Sequence, residues 1–204
     1  MSSDPLTTYR ANRERIPDGG IVLCHGTSVL HRLVLLRSWL RQWRQGVPMK
    51  DWTTITHCGI AVWWHGEIFL VQQNVLNTLS GFGECEAVRL SEFVRTFRGR
   101  VEVRTVLWPT NVDPSPEELF HGWAQGASRQ RVAEYAIAQV GRPYSLWAVI
   151  KAFIKGQPNN ELGYCSGLVR RSLMAMGWTG GGIADLPCDV AGYSCVSNEG
   201  TVLK

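Results

Sequence analysis

The strongest constraint on how this chain can fold is a pair of apolar-rich segments, 56–64 and 67–73, separated only by His65 and Gly66. A two-residue connection containing glycine between two such runs predicts a β-hairpin, and hence an antiparallel sheet. In the second strand Ile68, Leu70 and Gln72 share one face, because side chains alternate along a strand. Two further strands are expected at 21–25, behind the turn signal Asp18-Gly19-Gly20, and at 101–108. Helical patterns fill much of the remainder. One covers 29–45 and is stopped by Gly46 and Pro48; a short one covers 90–97. A helix or helix pair starts at Ser115-Pro116-Glu117-Glu118, with a Ser cap and Pro in the first position, and runs to Val140, with Gly126 as the candidate break and Gly141 as the stop. Residues 145–154 and 165–176 complete the set. In the last helix Cys165, Val169, Ser172, Leu173 and Met176 share a face, and Gly177 closes it. Residues 74–88 read as a loop and 180–182 as a flexible stretch. Residues 1–17 read as a loose polar lead-in to one domain over 18–204. The expected fold class is α+β, an antiparallel sheet with packed helices.

Composition removes several function classes. With 45% hydrophobic and 19% charged residues, the chain has enough apolar material for a core and is not disordered. A net charge of +4 is too weak to imply nucleic acid. The longest apolar runs, 60–64 and 146–150, fall far short of the roughly 20 residues of a membrane span. The polar first twenty residues do not resemble a secretory signal. A cytoplasmic or virion-associated protein is therefore expected. The six cysteines show no CxxC spacing, and reduced thiols are expected.

One cysteine stands apart. Cys165 follows Gly163 and Tyr164 and opens a helix, where the positive end of the helix dipole favours the thiolate. A bare cysteine in a helical pattern is usually a small core residue, but the helix-start position shifts those odds. A thiol nucleophile needs a base, and imidazole suits that task near neutral pH. His65 lies in the hairpin turn, and His31 and His121 lie in helical patterns. His25 and His57 lie on strands next to Cys24 and Cys58. Strand neighbours point to opposite faces, so neither adjacent pair can be a dyad. His57 then needs a distant cysteine, and Cys165 is the natural candidate. Gln72, on the strand paired with that of His57, can orient the ring but brings no negative charge. On the residues alone it is equally an edge amide facing solvent. A zinc site from Cys24, His25, His57 and Cys58 lacks the usual gaps between ligands, so neither metal nor cofactor is expected.

These segments carry a resemblance. Tyr164-Cys165-Ser166-Gly167-Leu168-Val169 resembles the nucleophile motif of NlpC-type cysteine peptidases, a branch of the papain-like fold. Thr56-His57-Cys58-Gly59-Ile60-Ala61-Val62 resembles their histidine motif. In the ordinary family the cysteine motif comes first. Here the histidine comes first, as in the circularly permuted YiiX-type amidases, to which the lecithin retinol acyltransferase relatives are related. Gly141-Arg142-Pro143-Tyr144 and Pro187-Cys188-Asp189-Val190-Ala191 resemble further elements of that type. Gln72 stands at the position where it normally has Glu.

The resemblance implies a permuted papain-like fold in which Cys165 attacks an amide or ester carbonyl. His57 is then base and acid, and Gln72 orients it. The Cys165 backbone N–H with Tyr144, and with Ser166 beside the nucleophile, serves the oxyanion and substrate. The expected substrate is a peptide, a peptidoglycan stem peptide or an acyl amide. Two rivals share the fold: a lipid-directed acyltransferase or acyl-amide hydrolase, and a non-catalytic binding or virion module. The lipid reading draws on the Trp content and on 29–45, whose Arg37, Arg41 and Arg44 could meet a membrane surface. A helix packed on the core with a solvated Arg face explains 29–45 at least as well.

Overall fold

Apolar side chains on both faces of each central strand require a sheet covered on both sides, and the structure has that form. A computed structural model describes residues 4, 6–27, 36, 54–74, 83–107, 123–143, 165–179 and 187–204. The described strands are β1 (Gly20–Gly26), β2 (His57–Trp64), β3 (Glu67–Asn74), β4 (Glu84–Arg89), β5 (Gly99–Val106) and β6 (Val196–Val202). They form one sheet in the order β4-β3-β2-β1-β5-β6, with every neighbouring pair antiparallel. The described helices are α1 (Leu6–Asn12), α2 (Leu90–Thr96), α3 (Trp123–Ile137), α4 (Cys165–Ala175) and the single turn α5 (Pro187–Val190).

Strand alternation separates two cores. Ile21, Leu23, Cys58, Ile60, Val62 and Val71 pack with Val132 and Ala136 of α3 and with Leu168, Val169 and Leu173 of α4. The intervening residues Val22, Cys24, Ala61, Ile68 and Leu70 pack with Leu90 and Val94 of α2 and with Tyr9 and Ile16. The continuous apolar runs of β1 and β2 follow from this double burial. The hairpin forms as expected, with Trp64 opposite Glu67. His65 and Gly66 have φ of 50° and 76°, which matches the turn that follows the twist of paired strands. A Cβ at Gly66 would meet no atom within 4 Å, so backbone conformation, and not packing, favours glycine there.

The structure departs from the expectations in places and adds to them in others. Residues 6–12 are helical and Tyr9 and Ile16 are buried, so this stretch is part of the second core and not a loose lead-in. The Trp63 indole N–H donates to the Ile16 carbonyl at 2.8 Å, and the Trp63 backbone N–H donates to the Asp18 carboxylate at 2.9 Å. Arg13 lies 5.2 Å over the Trp63 ring. Few apolar residues are needed for such a layer, so hydropathy does not reveal it. Residues 84–89 form β4 and not a loop. Helix α3 runs through Gly126 without a break. Finally β6, whose side chains are mostly exposed, is an edge strand with almost no apolar pattern to read.

The helix expected over 29–45, apart from Leu36, lies outside the described residues, as do the helix start at 115–118, the helix at 145–154, Tyr144 and 180–182. Among the described residues no helix is long and apolar enough to cross a membrane.

Candidate active site

Two element ends create the site. His57 is the first residue of β2, and Cys165 is the first residue of α4. The Cys165 side chain packs against the first core while remaining partly exposed. The other described cysteine side chains, Cys24, Cys58, Cys85 and Cys195, are buried, and none of the five is in a disulfide. Partial exposure at a helix start is what a thiol nucleophile requires.

The thiol and the imidazole hydrogen-bond each other. Cys165 lies well below the usual thiol range. The Cys58 thiol hydrogen bond contributes most; burial opposes it, and the charge and hydrogen bond of His57 and the Cys58 backbone N–H reinforce it. For His57, burial is the largest influence and pushes the pKa down. The Cys165 charge, hydrogen bonds that the ring donates to Cys165 and Gln72, and the Glu86 charge outweigh it and leave the imidazole raised. The two directions agree: each group favours the charged form of the other.

The other side of the imidazole is held from β3. His57 Nε2 lies 2.8 Å from Gln72 Oε1. The reach depends on Gly59. His57 and Gly59 share a face of β2, and the register beyond Ile60 and Val71 sets Gly59 opposite Gln72. A Cβ at Gly59 would come within 2.6 Å of Leu70 Cδ1, 2.7 Å of the Val71 carbonyl oxygen and 3.3 Å of Gln72 Cβ. Glycine there leaves room for the Gln72 side chain beside the strand. Gln72 is 3% exposed, so it is not an edge amide facing solvent. Its Nε2 donates to Glu86 Oε1 at 2.9 Å, and Glu86 is the residue directly opposite on β4.

Two contributors were not anticipated from sequence. Glu86 fell in a stretch read as loop, although Cys85 and Ala87 alternate there with Glu84, Glu86 and Val88. Cys58 was excluded as a partner of its neighbour His57. That exclusion is sound, but it does not prevent both residues from meeting Cys165. Ser166 is fully buried, and its hydroxyl has no hydrogen-bond partner among the described residues.

The sheet separates two of the four residues of the zinc alternative. Cys24 and His57 are directly opposed in the sheet, but Cys24 and Cys58 belong to different cores. Among the described residues no group of three or more His, Cys, Asp or Glu could hold a metal ion.

No family model matches this chain, and no curated protein matches it. Among solved structures it is similar to the crystal structure of the metalloprotein YiiX from Escherichia coli O157:H7. The TM-score is 0.51 at 15% identity, and the match covers 82% of this chain and 70% of that one. At that identity the likeness concerns architecture alone: this chain has a YiiX-like α+β fold.

Proposed function

We propose that this protein is a thiol amidase or peptidase that cleaves an amide bond through a Cys165 thioester, with NlpC-type peptidases as the wider group it resembles. The observation that carries the reading is the Cys165–His57–Gln72 line. A partly exposed thiol at a helix start is held well below its usual range beside an imidazole whose far nitrogen is 2.8 Å from a buried amide oxygen.

The steps follow from that line. The Cys165 thiolate attacks the substrate carbonyl carbon, and the carbonyl π electrons move onto oxygen. The first backbone N–H groups of α4 lack intrahelical acceptors and can serve the developing oxyanion. Tyr144 is the further donor that the resemblance suggests. Collapse of the tetrahedral intermediate expels the amine, which takes a proton from the His57 imidazolium. Neutral His57 then removes a proton from water, whose oxygen attacks the thioester. The carboxylic acid leaves as the carbon–sulfur bond breaks, and the proton returns the ion pair to its starting state.

The test is direct acylation. Intact mass should show one hydroxylamine-labile acyl group after exposure to p-nitrophenyl acetate, mapped to Cys165, absent in Cys165→Ala and slow in His57→Ala. Acylation spread over several cysteines, or unaffected by His57→Ala, would defeat the proposal.

A further inference from the structure

We propose that Glu86 is a positioning residue of this site: acting through the Gln72 amide, its carboxylate fixes the His57 tautomer and supplies the negative charge that Gln72 lacks. The inference rests on the reading of Cys165 and His57 as a working pair.

Donor chemistry orders the chain of contacts. An ionised carboxylate only accepts hydrogen bonds, so the Gln72 group 2.9 Å from Glu86 Oε1 is the NH2. The atom 2.8 Å from His57 Nε2 is therefore the carbonyl oxygen, which also only accepts. Nε2 must carry a proton, and Nδ1 is left to exchange one with the Cys165 thiol. Without the carboxylate the Gln72 amide could present either end to the ring, and either tautomer would be served.

The register makes the arrangement specific. Gln72 and Glu86 are directly opposed on β3 and β4 and so project from one face. His57 shares that face through Gly59. The ionisable groups acting on His57 are Cys165 from α4 and Glu86 from β4, and the buried Cys24 lies opposite on β1. Burial keeps the Cys24 thiol well above its usual range, so it stays neutral. Among the described residues Glu86 is then a carboxylate whose charge acts on His57.

The experiment is 15N NMR of the His57 ring against pH, in wild type, Glu86→Gln, the swap Gln72→Glu/Glu86→Gln, and Cys165→Ser. Glu86→Gln should lower the imidazolium midpoint by about three- to tenfold in proton affinity, and the swap should restore it. With Cys165 blocked as a methyl disulfide, neutral His57 should carry its proton on Nε2 in wild type and on both nitrogens in Glu86→Gln. An unmoved midpoint in Glu86→Gln, or a swap that fails to restore it, overturns the inference. Cys165→Ser separates the two claims. If it leaves the His57 midpoint unchanged there is no ion pair, and the reading of the site falls together with this inference. If it lowers the midpoint while Glu86→Gln does not, only this inference falls.

Discussion

The sheet holds two histidines that look alike in sequence, each on a strand and each beside a cysteine, and the fold uses them in opposite ways. His57 meets a partly exposed thiol at a helix start and reaches its carboxylate through an amide. His25 sits near the end of β1 with Nδ1 2.7 Å from the Thr54 hydroxyl and Nε2 3.8 Å from Glu102. Glu102 is buried and bound by Arg100 at 2.7 Å and by Arg104 at 3.0 Å. Burial pushes its carboxyl up, but His25 and the two guanidiniums outweigh that and hold it at about 2. The neighbouring Cys24 is fully buried, and burial lifts its thiol well above the usual range. A histidine near a carboxylate is thus not a catalytic site by itself. What separates the two is the thiol within reach: Cys165, which meets His57, is partly exposed, and Cys24, next to His25, is buried.

The largest expected effect breaks the comparison outright. His57→Ala should slow Cys165 alkylation at pH 6 about 100-fold, because the thiol loses its imidazolium partner. His25→Ala should leave that rate unchanged. Equal losses in both would mean the two histidines are not distinguished as described.

Next comes the structural cluster. Glu102→Gln should cost about 3 kcal/mol, since it leaves two guanidiniums facing a neutral amide. The folded pKa of Glu102 is depressed. Its contribution is therefore present above the unfolded carboxyl value and is lost as pH falls from about 4.5 towards about 2. Denaturation midpoints from pH 2 to 7 check this: wild type should lose its advantage over Glu102→Gln toward acid. A constant gap over that range would argue against the ion cluster.

Gly59→Ala should then cost about 1–3 kcal/mol from the clash with Leu70 and Val71, and it should also raise the Cys165 apparent pKa by displacing Gln72. Loss of stability with an unchanged Cys165 titration would show that Gly59 serves packing alone. The smallest effect is at the turn end of the hairpin. Trp63→Phe removes the indole N–H that donates to Ile16 and should cost about 1 kcal/mol by urea melt, with Cys165 reactivity untouched.

How much could be read in the sequence follows the same division. The hairpin, β1, the cysteine helix and the central trio were legible because each has a local signal: a turn glycine, an apolar run, a helix start, a motif. His57 Nε2 and Gln72 Oε1 lie 2.8 Å apart across the hairpin, the contact that strand pairing suggested. Glu86 was not legible, because a short strand with two acidic residues resembles a loop until its partner strand gives it a register. Cys58 was missed because alternation was applied within β2 and not to the helix end that both His57 and Cys58 can reach. The N-terminal helix and β6 escaped because a covering layer and an edge strand bury few side chains.

The most direct test of the central claim is the pH dependence of iodoacetamide alkylation at each cysteine in wild type and His57→Ala, read by peptide mass spectrometry. The account predicts that Cys165 reacts fastest, titrates below the usual thiol range, and loses that advantage without His57. A Cys165 that titrates like an ordinary thiol, or is indifferent to His57, would contradict it.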